Sequence, residues 1–215
     1  MTSQLTLYNG ALRLLGQPKL TALTDTIEPR RLLDGAWDEN ARDFCLEQAS
    51  WNFALRASSI EYDSSVSPDF GFQRAFVKPS DWLRTYRLAS DEYFLSPLTD
   101  FDFSDEQGYW WADYTTIYVS YVSNDAAYGY DLSLWPQTFV RYVEAYLAEQ
   151  VAPRIDQSLE GQDKIEKRTK KALVNAMAKD ALNEGAKFPP AGSWTRSRGS
   201  GWRRRDWGSR RRLTG

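Results

Sequence analysis

Side chains able to do chemistry are unevenly supplied along these 215 residues. Histidine is absent, which excludes Ser-His-Asp and Cys-His nucleophile arrangements and histidine-ligated metals. Cys45 stands alone, so neither an internal disulfide nor a cysteine-built zinc cage can form. No glycine-rich phosphate loop of the Walker or dinucleotide type occurs. Carboxylates are what is left. Asp100 and Asp105 lie in an acidic, aromatic stretch that also holds Asp91, Glu92, Asp102 and Glu106, and two carboxylates among aromatics are the equipment of a glycosidase cleft. Such stretches are also ordinary solvated surface. With no other catalytic group in view, the sequence reads as that of a non-enzymatic protein that needs no cofactor and no metal.

The other chemical concentration is cationic. Between residues 188 and 215 there are eight arginines against one acid, Asp206, a net of about +7 that leaves 19 basic and 28 acidic residues before it. Trp194, Arg196, Arg198, Trp202, Arg203, Arg204, Arg205, Trp207, Arg210, Arg211 and Arg212 make up this pattern. Guanidinium groups pair with phosphates or carboxylates, and interleaved indoles stack on bases or fill apolar pockets. An acidic protein groove and a nucleic acid both fit. A merely solvated tail gains nothing from exposing three indoles. The segment has no apolar period, and its indoles alone cannot offset the entropy of ordering the backbone, so it is expected to become ordered only against a partner. Extended, 28 residues reach up to about 90 Å, enough to cross a neighbouring subunit. The acidic remainder suits a surface that faces duplex DNA without adhering to it, although modest acidity is common in ordinary domains.

The elements that would position these groups can be read from periodicity. Leu5, Tyr8, Leu12 and Leu15 predict a first amphipathic helix, capped by Ser3 and ended by Gly16 and Pro18, with close packing at Gly10. Leu33, Trp37, Ala41, Phe44 and Gln48 predict a second helix from Glu28 to about Ser50. The period then changes to two, and stretches 57–62, 72–77, 83–88 and 116–122 read as strands. Residues 88–109 read as a hairpin with a mobile loop. Helical period returns at Trp135-Pro136, with Phe139, Val143, Tyr146, Leu147 and Val151 on one face up to Pro153. A last helix over 159–184 carries Ile165, Ala172, Leu173, Ala176 and Ala181, a small-residue stripe suited to close helix contacts.

The expected fold is α+β: mainly a bundle of about four helices from 1–56 and 132–187, a small antiparallel β insertion at 57–131, and an extended docking tail at 188–215. No run of about 18 apolar residues is present, so no membrane span is expected. The start MTSQLTLYNGALRLLG lacks the basic flank and cleavage site of a secretory signal. Synthesis in a cytoplasm is therefore expected.

Five short motifs in order resemble a known family. Ala11-Leu12-Arg13-Leu14-Leu15-Gly16-Gln17-Pro18 is similar to an early helix closing in a Leu-Gly-x-Pro turn, and Trp51-Asn52-Phe53-Ala54 to a Trp-x-Phe-Ala segment. Lys78-Pro79-Ser80-Asp81-Trp82-Leu83-Arg84 resembles Leu-Pro-x-Asp-x-Leu-Arg, with Lys78 where Leu is usual. Ile117-Tyr118-Val119-Ser120-Tyr121-Val122 resembles a last strand, and Trp135-Pro136-Gln137-Thr138-Phe139 a Trp-Pro-x-x-Phe helix start. Together, over about residues 5–184, they resemble the head-to-tail adaptor proteins of tailed bacteriophages, the tail tubular protein A or head-completion family. That resemblance implies a virion protein at the head-tail junction, forming a homo-oligomeric ring, commonly of twelve subunits, below the portal protein. The ring extends the channel through which duplex DNA passes without specific binding, and offers a platform to a downstream tail or nozzle protein. It also implies that the C-terminal segment reaches up to the portal. The competing readings are a nucleic-acid-binding module that uses the basic tail and a carboxylate-based glycosidase.

Overall fold

A computed structural model describes residues 2–183, apart from 69, 70, 107, 156 and 157. Helix α1, Gln4–Leu14, begins where the Ser3 hydroxyl accepts the Thr6 N–H. It ends in a Schellman turn: Gly16 takes φ +67°, its N–H donates to the Arg13 carbonyl, and the Gln17 N–H donates to the Leu12 carbonyl at 2.9 Å. Pro18 then prevents a further turn. The buried face is Leu7, Tyr8, Ala11 and Leu12.

The second helix departs from its expected course. It forms α2, Glu28–Ala36, and α3, Arg42–Glu47, separated by a kink within Trp37–Ala41, where Glu39 leaves helical geometry and Asn40 adopts φ +66°. The kink rotates everything after it. Leu33, Trp37 and Ala41 are buried as the period requires, but Cys45 and Leu46 then take the core positions, and Phe44 turns outward onto Tyr146 at 4.7 Å. Asn tolerates the left-handed conformation, and one such residue breaks the helical path and resets its phase.

Six strands follow. β1 (Leu55–Glu61), β3 (Trp82–Ala89) and β6 (Thr116–Ser123) form one antiparallel sheet in the order β1-β6-β3. β2 (Arg74–Val77), β4 (Phe103–Glu106) and β5 (Tyr109–Ala112) form a second, in the order β2-β5-β4. Two long helices close the described chain: α4, Gln137–Ile155, and α5, Leu159–Ala181. α4 passes through Pro153, on its exposed side, rather than ending there. It is buried on nearly every side, through residues such as Phe139, Val143, Leu147 and Val151.

There are two hydrophobic cores. The larger joins α1 to α5 and takes in Trp51, Val122 and Trp135. The smaller lies between the sheets, around Phe76, Leu88, Trp110, Ile117, Val119 and Tyr121. Strand β6 serves both, with Val122 in one core and Ile117, Val119 and Tyr121 in the other.

This corrects the expected fold class. The chain is α+β, with four helical rods, counting α2 with α3, beside two three-stranded antiparallel sheets, and it is not mainly a helical bundle with a small inserted sheet. Among the described residues helix takes up 43% and strand 21%, so the strands are half as extensive as the helices rather than an ornament on them. The strands expected at 57–62, 72–77, 83–88 and 116–122 fall on β1, β2, β3 and β6, and the hairpin expected within 88–109 falls later, as β4 paired with β5 over 103–112. β4 is an edge strand that carries Asp105 and Glu106, and charges on an edge hinder unwanted pairing.

Candidate functional site

Residues singled out by motif converge as joints of the fold. Trp51 is buried, donates its indole N–H to the Cys45 carbonyl at 3.1 Å, and lies 4.8 Å from Phe139 edge to face. Phe53 and Trp135 each approach Phe139 to 4.9 Å, and the Trp135 indole donates to the Gly129 carbonyl at 2.8 Å. Two segments more than 80 residues apart thus meet in one aromatic cluster, with the indole N–H groups satisfied as burial demands. Pro136, in the residue pair before α4, supplies the carbonyl that accepts the Val140 N–H. Asn52 fastens the far end of α5: its backbone N–H and its side-chain amide donate to the Asp180 carboxylate and carbonyl, both at 3.0 Å.

Asp81 is the joint of the first sheet. Its carboxylate accepts from the Arg56 guanidinium at 2.8 Å, the Ser123 hydroxyl at 2.5 Å and the Tyr121 hydroxyl at 3.2 Å, so β1, β3 and β6 are tied at one point. Burial pushes this carboxyl up, but the Ser123 and Arg56 bonds outweigh burial and hold it below the usual carboxylate range. Burial and the adjacent Asp81 push the Tyr121 phenol to about 12. Pro79 accepts the Trp82 N–H in the preceding turn. Leu83 packs on the helical core, and Arg84 donates to the Glu47 carbonyl at the end of α3 at 3.0 Å. Gly16, Pro18, Trp51, Phe53, Pro79, Asp81, Leu83, Arg84, Trp135, Pro136 and Phe139 therefore all have structural work at junctions.

The carboxylates weighed for glycosidase chemistry are differently placed. Asp105 pairs with Lys78, whose ammonium sits 3.7 Å from the centre of the Trp82 ring. Both the Trp82 and Trp110 indoles donate to the Thr85 hydroxyl. Asp100 is exposed in the turn before β4. Asp105 is thus held in an ion pair with a lysine. Among the described residues, no group of three or more acidic, Cys or His side chains could hold a metal.

Two surfaces remain that no motif indicated. Residues 90–102, between β3 and β4, expose Tyr93, Leu95 and Phe101 at 73%, 80% and 92%. Their turns are closed from inside: Asp91 accepts the N–H groups of Tyr93, Leu95 and Ser96, and Asp102 accepts from Thr99. A cleft of about 480 Å³ opens between α1, α4 and α5, walled by Arg13, Arg141, Arg168 and Lys171, with Leu14, Ala145 and Ala172 among its lining. Inside it lies Glu144, 7% exposed and 3.4 Å from Arg13. Burial raises this carboxyl above its ordinary value despite Arg13, Arg141 and Arg168 nearby. Gly10 makes the arrangement feasible, since a β-carbon there would overlap the Glu144 carboxyl. The one sequence signal was that glycine inside a helix.

Trp194, Arg196, Arg198, Trp202, Arg203, Arg204, Arg205, Trp207, Arg210, Arg211 and Arg212 lie outside the described residues. No helix among the described residues is long and apolar enough to cross a membrane. No protein-family model matches the chain, and no curated protein matches its sequence.

Proposed function

We propose that this chain is a structural adaptor subunit of a bacteriophage head-to-tail connector. Copies form a ring beneath the portal protein, extend the channel for duplex DNA and present a platform to a tail or nozzle protein. The observation that carries this reading is the convergence of the family-like residues: Trp51, Phe53, Trp135 and Phe139 share one cluster, although the motifs lie far apart in sequence.

In this reading the segment 188–215 grips the portal. Trp194, Trp202 and Trp207 are the apolar anchors, and Arg203, Arg204, Arg205, Arg210, Arg211 and Arg212 clamp carboxylates of the portal groove. Deletion of 188–215 tests the mechanism. The shortened protein is expected to keep the far-ultraviolet circular dichroism of the intact chain and to lose attachment to portal-bearing heads. Normal attachment by the shortened protein would refute the docking mechanism. Duplex DNA binding by the intact chain is expected to be weak. Affinity falling by several decades over a fourfold rise in salt would instead indicate a phosphate-gripping module.

A further inference from the structure

We infer that the cationic cleft between α1, α4 and α5 receives the loop 90–102 of a second copy of this chain, so that each copy offers one cleft and one loop. This rests on the ring reading above and names the surfaces that would build the ring. The cleft sets four cations, Arg13, Arg141, Arg168 and Lys171, against the single carboxylate of Glu144. Among the described residues only Arg13 forms an ion pair with Glu144, and no acidic group lies within 4 Å of Arg141, Arg168 or Lys171. The cleft therefore has unspent positive charge around apolar lining, at a volume typical of side-chain and ligand recognition, roughly 300–1,000 Å³.

The loop is its chemical complement. From residue 90 to 102 the chain carries four acids, Asp91, Glu92, Asp100 and Asp102, and no Lys or Arg. Leu95 and Phe101 protrude as apolar knobs. Closure of the turns by Asp91 and Asp102 fixes the loop's shape before contact, which reduces the ordering that binding must impose. Arg87 over the Phe94 ring at 4.2 Å braces its base. The Arg-rich segment 188–215 is the wrong occupant for the cleft, because its charge has the same sign. A contact between two different surfaces of identical subunits is heterologous, and such contacts close into rings or extend as filaments rather than stopping at a pair.

Two variants of the full chain test this by sedimentation velocity over a concentration series. One is Leu95→Ser with Phe101→Ser, which changes exposed side chains only. The other is Arg168→Glu with Lys171→Glu, on the exposed side of α5; Lys171→Ala serves if that pair does not fold. The intact chain is expected to self-associate, and each variant alone to do so at least tenfold more weakly. Their equimolar mixture is expected to stop at a heterodimer, because one sound cleft and one sound loop remain. If all three proteins assemble alike, the ring stands but the inference falls. If neither the intact chain nor the mixture associates, the inference falls, while attachment to portal-bearing heads still decides the adaptor reading. If a short duplex DNA binds the intact chain and not the charge-reversed variant, the cleft is a phosphate site and the inference is wrong.

Discussion

The aromatic joint around Phe139 and the exposed loop 90–102 have similar side chains and opposite fates. In the joint, Trp51, Phe53 and Trp135 are packed against Phe139 with their indole N–H groups bonded. In the loop, Tyr93, Leu95 and Phe101 stand in solvent on a frame of carboxylate-closed turns. The residues that can be recognised by motif hold the fold together. Those that face outward carry no motif at all.

This contrast can be broken by substitution. Trp51→Ala should have the largest effect, a loss of about 3–5 kcal/mol in chemical denaturation, because it leaves a void in the larger core and an unpaired Cys45 carbonyl. A loss below about 1 kcal/mol would mean that the joint is loosely packed. Asp81→Asn should cost about 1–3 kcal/mol at neutral pH. Its folded carboxyl lies below the ordinary value, so the stabilisation is present above the unfolded value of about 3.9 and is lost as pH falls through the folded one. The gap between variant and parent should therefore narrow in denaturation series below about pH 4.

Glu144→Gln should move in the opposite direction. The folded carboxyl is raised by burial, so the ionised group opposes folding most at neutral pH and less as pH falls through the folded value. The variant should be neutral or more stable by up to about 1 kcal/mol at pH 7, and the difference should shrink on acidification. The smallest change is expected for Leu95→Ser with Phe101→Ser: stability within about 0.5 kcal/mol of the parent, measured by the same denaturation. A larger loss would show that the loop belongs to the fold and not to a contact.

Much of the framework was legible in the sequence. Ser3, Gly16 and Pro18 mark both ends of α1 because capping and left-handed closure depend on local chemistry. The period-two run over 116–122 marks β6 because a strand that serves two cores is apolar along most of its length. The kink at Trp37–Ala41 was not legible, since one left-handed residue, Asn40, alters the phase without altering composition. The strand at 72–77 and a hairpin were legible, but not that they join as a second sheet of their own, because that pairing is made between segments about 30 residues apart. The cleft was hidden for a different reason: Arg13, Arg141, Arg168 and Lys171 come from three helices, and only their packing, with Gly10 admitting Glu144, gathers them. Asp100 and Asp105 looked alike in sequence, and only the fold separates an exposed turn residue from the partner of Lys78.

The most direct measurement is electron microscopy of the intact chain mixed with a portal protein, the partner that the adaptor reading assigns to it. The expected result is a ring of added density stacked on one face of the portal, coaxial with its channel and bound in stoichiometric amount. Portal particles of unchanged length, with the chain left free at every concentration tried, would contradict the adaptor assignment.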